Sequence, residues 1–311
     1  MGTRKYDKLS IEDFGAHLLD NLDLDPIYVA LSRLKCVEGG WDLARLNRWL
    51  IAYWCFYHAG AACYIASRPR EEFWDWMERA AANRVEEPCP LGGNAVNGGW
   101  PRGHERRHFR GAQGYTAVKE LKAKYPEPED FVVALQRVDA GTSVPFSKLS
   151  EKIREHRSFG PWIAFKVGDM LERVLGKQVD FTEAEVFMFE APREAALLLW
   201  RTKQNLPEGA RPKDETQVIK QVVRYLADHF NGEHVVGNPP VKQKIGFRAP
   251  PLFDRPLGLQ EIETILCKWK SHMTGSYPLW NDIDEINSGL ALWADTCPAV
   301  GEFLQHMPKR R

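Results

Sequence analysis

Residues 103–111, Gly-His-Glu-Arg-Arg-His-Phe-Arg-Gly, set three arginines and two histidines against a single glutamate, between two glycines. Guanidinium groups grip oxyanions through paired N–H donors, and glycines let backbone amides approach the same anion. Arg106, Arg107, His108 and Arg110 are therefore candidate ligands of an anion, with a solvated basic loop as the bland alternative. The contrast with the rest of the chain sharpens the point, because 42 Lys+Arg balance 42 Asp+Glu. A neutral protein does not bind polyanions by bulk charge, but it can carry a local basic face.

A second group of chemistry-bearing residues lies toward the C-terminus. Lys268, Lys270 and His272 precede a glycine turn, after which come Asp282 and Asp284. On a helix Lys268 and His272 stand one turn apart on one face. A helix C-terminus also favours basic residues, and the segment Asn281-Asp282-Ile283-Asp284-Glu285 also reads as the start of the next helix. The stretch Asn238–Arg248 places Lys242, Lys244 and Arg248 around an extended, proline-containing segment that can meet a DNA backbone or remain solvated. The nucleotide-binding motifs GxxxxGK[ST] and GxGxxG after a strand are absent from the sequence, as are HExxH and GxSxG.

The elements that must position these groups read as mostly α. A chain of 311 residues with 44% hydrophobic content buries a sizeable core. No run approaches the roughly 18 apolar residues of a membrane span, and the opening segment lacks the apolar stretch of a secretory leader. The six dispersed cysteines suggest reduced thiols in a cytosolic compartment. Asp25-Pro26 is a helix start, residues 43–67 read as one helix that becomes apolar on nearly all sides, and residues 69–85 as another. Residues 84–111 form a long irregular loop, a length that in a compact domain is usually functional or disordered. Helices resume after it, with a second Pro/Gly-rich connection at 231–258 and no strand of any length. The whole is expected as one helical unit, with an N-terminal lobe 1–125 and a second lobe 126–311 as its subdivision.

One segment carries more information. Residues 147–176 predict a helix, a turn at Ser158-Phe159-Gly160-Pro161, and a second helix, with Gly160 permitting the tight turn and Pro161 at the helix start. The amides at that start can hold a DNA phosphate. This segment resembles the helix-hairpin-helix of DNA base-excision glycosylases, with "FGPWIAFK" as the hairpin and "GKQVDFTEAEVF" leading to an aspartate. The resemblance implies a helix-hairpin-helix DNA-glycosylase-like helical fold with long irregular loops. It also implies Asp180 as the active-site carboxylate, Lys166 near the lysine of bifunctional members, and Gly160 and Trp162 against DNA. Trp162-Ile163 replaces the second hairpin glycine of that family, which argues against ordinary glycosylase action.

A wider resemblance runs through "FWDWMERAA", "PRGHERRHFRG" and "ILCKWKSHMTGSYPLWNDIDE". These segments resemble the bacteriophage amino acid:DNA transferases, the α-glutamyl/putrescinyl-thymine pyrophosphorylases. That resemblance implies a partner, double-stranded phage DNA carrying a pyrophosphorylated thymine analogue, and a free amino acid as second substrate, in the cytoplasm of an infected bacterium. The amine would displace pyrophosphate from the methylene carbon of 5-pyrophosphoryloxymethyl-deoxyuridine, with no membrane involved. Pyrophosphate leaves well only where its charge is neutralised, which would occupy Arg106, Arg107, His108, Arg110, Lys268 and Lys270. The attacking amine must lose a proton, which makes Asp180 and His272 candidate bases; Asp180 can alternatively steady a cationic methylene-uracil. Asp282 or Asp284 would hold the ammonium, or a divalent metal accompanying the pyrophosphate. Two other readings stay open: a glycosylase acting on a modified base, and a non-catalytic DNA-binding partner of a thymidine-modification enzyme.

Overall fold

The structure is a computed structural model that describes residues 6–92, 99–139, 141, 143–182, 189–232, 234–236, 241–243 and 246–310. It is mostly helical, and among the described residues strand structure is confined to two small two-stranded sheets. The chain divides into two compact units. Unit 1 comprises Met1–Pro26, Phe181–Ile283 and Pro308–Arg311; unit 2 comprises Ile27–Asp180 and Asp284–Met307. These units do not coincide with the stretches 1–125 and 126–311, because the first helix packs with helices from the second half of the chain.

Unit 1 is built from α1 (Ile11–Asp20), α10 (Glu190–Lys203), α11 (Glu215–Asn231) and α12 (Leu259–Met273). Their apolar stripes meet in a core that includes Phe14, Leu18, Leu199, Leu226, Phe230, Ile265 and Trp269. Ser10 caps α1 by accepting from the Asp13 amide at 3.1 Å, and Asp214 caps α11 through the Gln217 amide at 2.9 Å. Gly15 lies where α1 meets the Phe230 ring, since a Cβ there would fall 2.3 Å from that side chain. The second Pro/Gly-rich connection holds a short hairpin, β3 (His234–Val236) antiparallel to β4 (Val241–Gln243), where no strand is expected. Two three-residue strands are too short to leave an alternating pattern in the sequence.

Unit 2 holds α2 (Pro26–Cys36), α3 (Leu43–Phe56), α4 (Ala59–Ala66), α5 (Phe73–Ala82), α6 (Gly111–Lys124), α7 (Glu129–Gln136), α8 (Phe146–Arg154), α9 (Pro161–Arg173), most of α13 (Asn281–Ala291) and α14 (Pro298–His306). The apolar stretch expected as one helix is two. Tyr57 takes a left-handed conformation at φ 51°, and the His58 ring then caps α4 by accepting from the Ala61 amide at 3.2 Å. Both helices stay buried, with Trp49, Trp54, Cys55 and Phe56 fully enclosed. All six cysteines are free thiols. No described helix is long and apolar enough to cross a membrane.

The expected helical hairpin is formed by α8 and α9. Its left-handed residue is Ser158, at φ 66°, whereas Gly160 is extended at φ −81° and needs no glycine on conformational grounds. The turn is held by His156, whose ring nitrogens meet the Tyr125 hydroxyl at 3.1 Å and the Ile153 carbonyl at 3.0 Å. Beneath it, Asp169 on α9 accepts from the Tyr28 hydroxyl at 3.0 Å and pairs with Arg173, all three buried.

Candidate functional site

In unit 2 the arginine-rich loop is fastened to the helical hairpin. A 3-10 turn at His104–Arg106 directs successive side chains to opposite sides. Arg106 and Phe109 point inward and are buried, while Arg107, His108 and Arg110 are exposed. The Arg106 guanidinium donates to the Cys55 carbonyl at 3.1 Å and to the Ser158 carbonyl at 2.7 Å. It lies over the Phe109 ring at 4.5 Å and the Phe159 ring at 5.5 Å, and its Nη2 has no hydrogen-bond partner. Burial lowers its pKa to about 10, which leaves it charged at neutral pH. Arg106 thus ties the loop to the end of α3 and to the hairpin turn at once.

Arg102, which the sequence does not single out, performs the matching task at the other side of the loop. It donates to the Phe109 carbonyl at 2.8 Å, the Trp100 carbonyl at 2.6 Å, Asn83 Oδ1 at 3.1 Å and the Ala80 carbonyl on α5. A buried arginine and a half-buried one therefore fold the loop, and two exposed ones are left to meet a ligand. Arg107 Nη1 lies 3.1 Å from His104 Nε2. Burial, with help from Arg106 and Arg107, lowers the His108 pKa. Gly103 packs on Tyr57, whose ring meets Trp162 edge-on with centroids 5.0 Å apart. Trp162 is half-buried, and a Cβ at Gly160 would meet nothing within 4 Å, so the hairpin backbone is open to approach.

Asp180 ends β2 (Val179–Asp180), which pairs in parallel with β1 (Val144–Pro145), with Asp180 opposite Pro145. The carboxylate is exposed and stands beside the start of α8. The arginine loop is fastened at the far end of that nine-residue helix, about 14 Å away along its axis. Lys166 is buried in α9, its ammonium 5.5 Å from the Phe165 ring centroid. Asp284 is exposed on α13.

Unit 1 holds the second group. His272 is fully buried, and both ring nitrogens are taken by backbone groups: Nδ1 meets the Tyr277 carbonyl at 2.8 Å, and Nε2 accepts from the Leu9 amide at 3.0 Å. This fixes the Nδ1–H tautomer, and burial lowers the pKa. A ring so occupied is a structural pin, which differs from the proton-transfer role expected from the sequence. Lys268 is likewise engaged: Nζ lies 2.7 Å from Asp282, donates to the Asp23 carbonyl at 3.0 Å, and also donates to the Leu24 carbonyl. Burial alone would lower its pKa, but Asp282, Asp25 and Asp23 raise it, so its charge serves carboxylates already present. Lys270, on the same helix, is half-buried.

The remaining expected DNA contacts are in the second connection. Arg248 is exposed, with its guanidinium turned onto the Phe253 carbonyl at 3.3 Å and the Asp254 carbonyl at 2.5 Å of its own loop. Lys242 falls on β4, and Lys244 lies outside the described residues. Among the described residues no group of three His, Cys, Asp or Glu side chains is placed to hold a metal ion.

Comparison with known proteins gives the family of this helical chain. Residues 21–276 match the family "Amino acid:DNA transferase". The chain is 43% identical, over 99% of both sequences, to a glycinyltransferase of Pseudomonas phage PaMx11. It is 29% identical to a putrescinyltransferase of Delftia phage PhiW-14, across 92% of this chain and 79% of that one. With the family match spanning most of the chain and a relative aligned end to end, the protein belongs to the amino acid:DNA transferases, enzymes that modify DNA by amino acid transfer.

Proposed function

We propose that this transferase joins the amine of glycine to the methylene carbon of 5-pyrophosphoryloxymethyl-deoxyuridine in phage DNA, releasing pyrophosphate. The observation that carries the reading is the attachment of the arginine loop to the hairpin turn through Arg106. That attachment sets exposed Arg107, His108 and Arg110 on the same end of the α8–α9 pair as the open amides of Gly160 and the start of α9. Such a grouping of guanidinium and amide donors serves phosphate oxygens, whether of the DNA strand or of the leaving pyrophosphate. The choice of glycine rests on the glycinyltransferase of Pseudomonas phage PaMx11, which aligns over the whole chain.

In this scheme the C–O bond to pyrophosphate breaks with its electron pair leaving on oxygen, and the amine nitrogen forms the new C–N bond. Donors that neutralise the leaving charge speed that step. With Asp180 about 14 Å from the arginine loop along α8, the exposed arginines of the loop grip phosphates of the DNA strand, while the exposed Asp180 carboxylate steadies the electron-poor methylene carbon and half-buried Trp162 stacks where the target base leaves the duplex. Lys166 and His272, both buried, receive no step.

The test supplies purified protein with DNA containing the pyrophosphorylated base and with glycine, then analyses nucleosides by mass spectrometry and assays free pyrophosphate. A glycinyl adduct with stoichiometric pyrophosphate is expected. Asp180→Ala should abolish turnover while DNA binding persists. Abasic sites instead of a heavier base would replace the proposal with a glycosylase, and DNA binding without chemistry would reduce it to a binding module.

A further inference from the structure

Unit 1 contains a buried acidic cluster that the scheme above does not use. Asp23 has no exposed surface; its Oδ1 accepts from the Ile283 amide at 3.0 Å, but among the described residues its Oδ2 has no hydrogen-bond partner. Beside it stand Lys268 and Asp282, joined at 2.7 Å, with half-buried Asp25 in the same field. The ring of Tyr277 takes the Lys268 ammonium at 5.5 Å from its centroid. The Tyr277 hydroxyl is buried against Asp282, Asp23 and Asp25 without a hydrogen-bond partner of normal geometry. Burial first, then the neighbouring acids, raises its pKa well above the ordinary tyrosine value, so it stays a neutral hydroxyl.

Two features of this cluster point to a ligand. Asp23 and Asp282 both lie in the field of the one ammonium of Lys268. Among the described residues its enclosed oxygen Asp23 Oδ2 is left without a hydrogen-bond partner, and Tyr277 Oη has only Asp282 beside it, outside normal hydrogen-bond geometry, which is expensive in a folded protein unless something pairs with them. What would satisfy both is a small cation with several N–H donors. The three aspartates do not form a group placed to hold a metal ion. A primary ammonium reaches oxygens that are further apart, through three divergent hydrogens. Asp282 keeps 27% of its side-chain surface, so the cluster meets solvent at that residue.

We propose that Asp23, Tyr277 and Asp282 form the subsite for the primary ammonium of the incoming donor, and that Asp23 takes its proton. The inference rests on the amine-transfer reading above and names where that amine is received. The donors in the names of the two phage relatives, glycine and putrescine, share no group except a primary amine, which is the one such a subsite recognises. One N–H proton passes to the Asp23 carboxylate, giving a carboxylic acid and a neutral amine whose lone pair is then available for the C–N bond. After that bond forms, the secondary ammonium releases its further proton to solvent. Burial, outweighing the attraction of Lys268, raises the Asp23 pKa to about 6, which suits a carboxyl that must accept a proton near neutrality.

The experiment measures binding of carbon-13-labelled glycine to the full-length protein by NMR, without DNA, in wild type, Asp23→Asn and Tyr277→Phe. Asn retains the oxygen that accepts from Ile283, and Phe retains the ring under Lys268, so both variants keep the packing. Wild type should bind glycine. Asp23→Asn should bind roughly tenfold more weakly or worse, the scale of one lost charge-assisted hydrogen bond, and Tyr277→Phe several-fold more weakly. Both should unfold at the same urea concentration as wild type or higher, because each removes a group left unpaired in the free protein. A cluster with only a structural role would reverse this pattern, lowering stability and leaving glycine affinity unchanged. Undetectable glycine binding by wild type, or equal binding by all three proteins, overturns the proposal. Since no DNA is present, intact glycine binding with no transfer to pyrophosphorylated DNA would sink the reaction scheme and leave this subsite standing.

Discussion

The buried carboxyl of Asp23 makes a prediction that needs no substrate. Its pKa moves from the ordinary 3.8 to about 6, through burial first and the repulsion of Asp282 against the attraction of Lys268. The unfolded chain releases this proton near 3.8, while the native protein holds it to about 6. Between those values the native state binds more protons, so stability falls as pH rises, and the full penalty remains above 6. A shift of about two units corresponds to roughly 3 kcal/mol, at about 1.4 kcal/mol per unit. Asp23→Asn is neutral throughout and keeps the acceptor for Ile283. The variant should therefore match wild type near pH 4 and exceed it by on the order of 3 kcal/mol at neutral pH.

Urea unfolding followed by circular dichroism, at intervals from about pH 4 to about pH 7.5, gives the difference directly. Carboxylates held down by surface ion pairs, such as Glu155 with Lys152 and Lys124, impose the opposite slope, but equally on both proteins, so they cancel. The charged and titratable groups facing Asp23 are Lys268, Asp282, Asp25 and Tyr277, and these are unchanged in the variant. Glycine adds a second reading. A ligand that binds only the native state stabilises it by mass action, and that gain should be large in wild type and small in Asp23→Asn. Parallel pH profiles for the two proteins, or a variant less stable than wild type at neutral pH, would refute the account of Asp23 as an ionised group held at a cost for function.

Other expectations follow from individual contacts. Arg106→Lys loses the fork that reaches Cys55 and Ser158 together, and should cost about 2–3 kcal/mol in urea unfolding while weakening DNA binding through the displaced loop. Exposed Arg107 and Arg110 can be replaced by Gln with little effect on stability. The double variant should flatten the dependence of log affinity on log salt by about 1.8 if both touch DNA phosphates, and an unchanged slope would remove them from that role. His272→Ala strands the Leu9 amide and opens a cavity, which should cost about 2–4 kcal/mol. The pH dependence of kcat in whatever active protein remains should not change, and a lost limb in that profile would restore His272 to the chemistry.

The helical hairpin is legible in the sequence because its signals are local. Gly160-Pro161 punctuates two amphipathic stretches, and the chain folds there as α8, turn and α9. The mostly helical character is readable for the same reason, through repeats within a few residues of each other. What is illegible depends on partners far along the chain or on a single backbone angle. Tyr57 breaks the long apolar helix by adopting a positive φ, a conformation that side-chain chemistry scarcely announces. Composition marks 103–111 as a candidate anion loop, yet Arg106 and Arg107 are chemically identical neighbours with opposite fates, divided by the 3-10 turn that buries one and exposes the next. Arg102 shares the inward role although it lies outside the segment that attracts attention. Asp23 is the extreme case. In Asn21-Leu22-Asp23-Leu24-Asp25-Pro26 it reads as an acid before a helix start, and Lys268 is 245 positions away. Of the lysines and histidine near the C-terminus, Lys268 packs against Asp23, the residue to which the proposed subsite gives the proton transfer. Residue type finds the neighbourhood of chemistry, and burial decides which member of the neighbourhood has a reason to react.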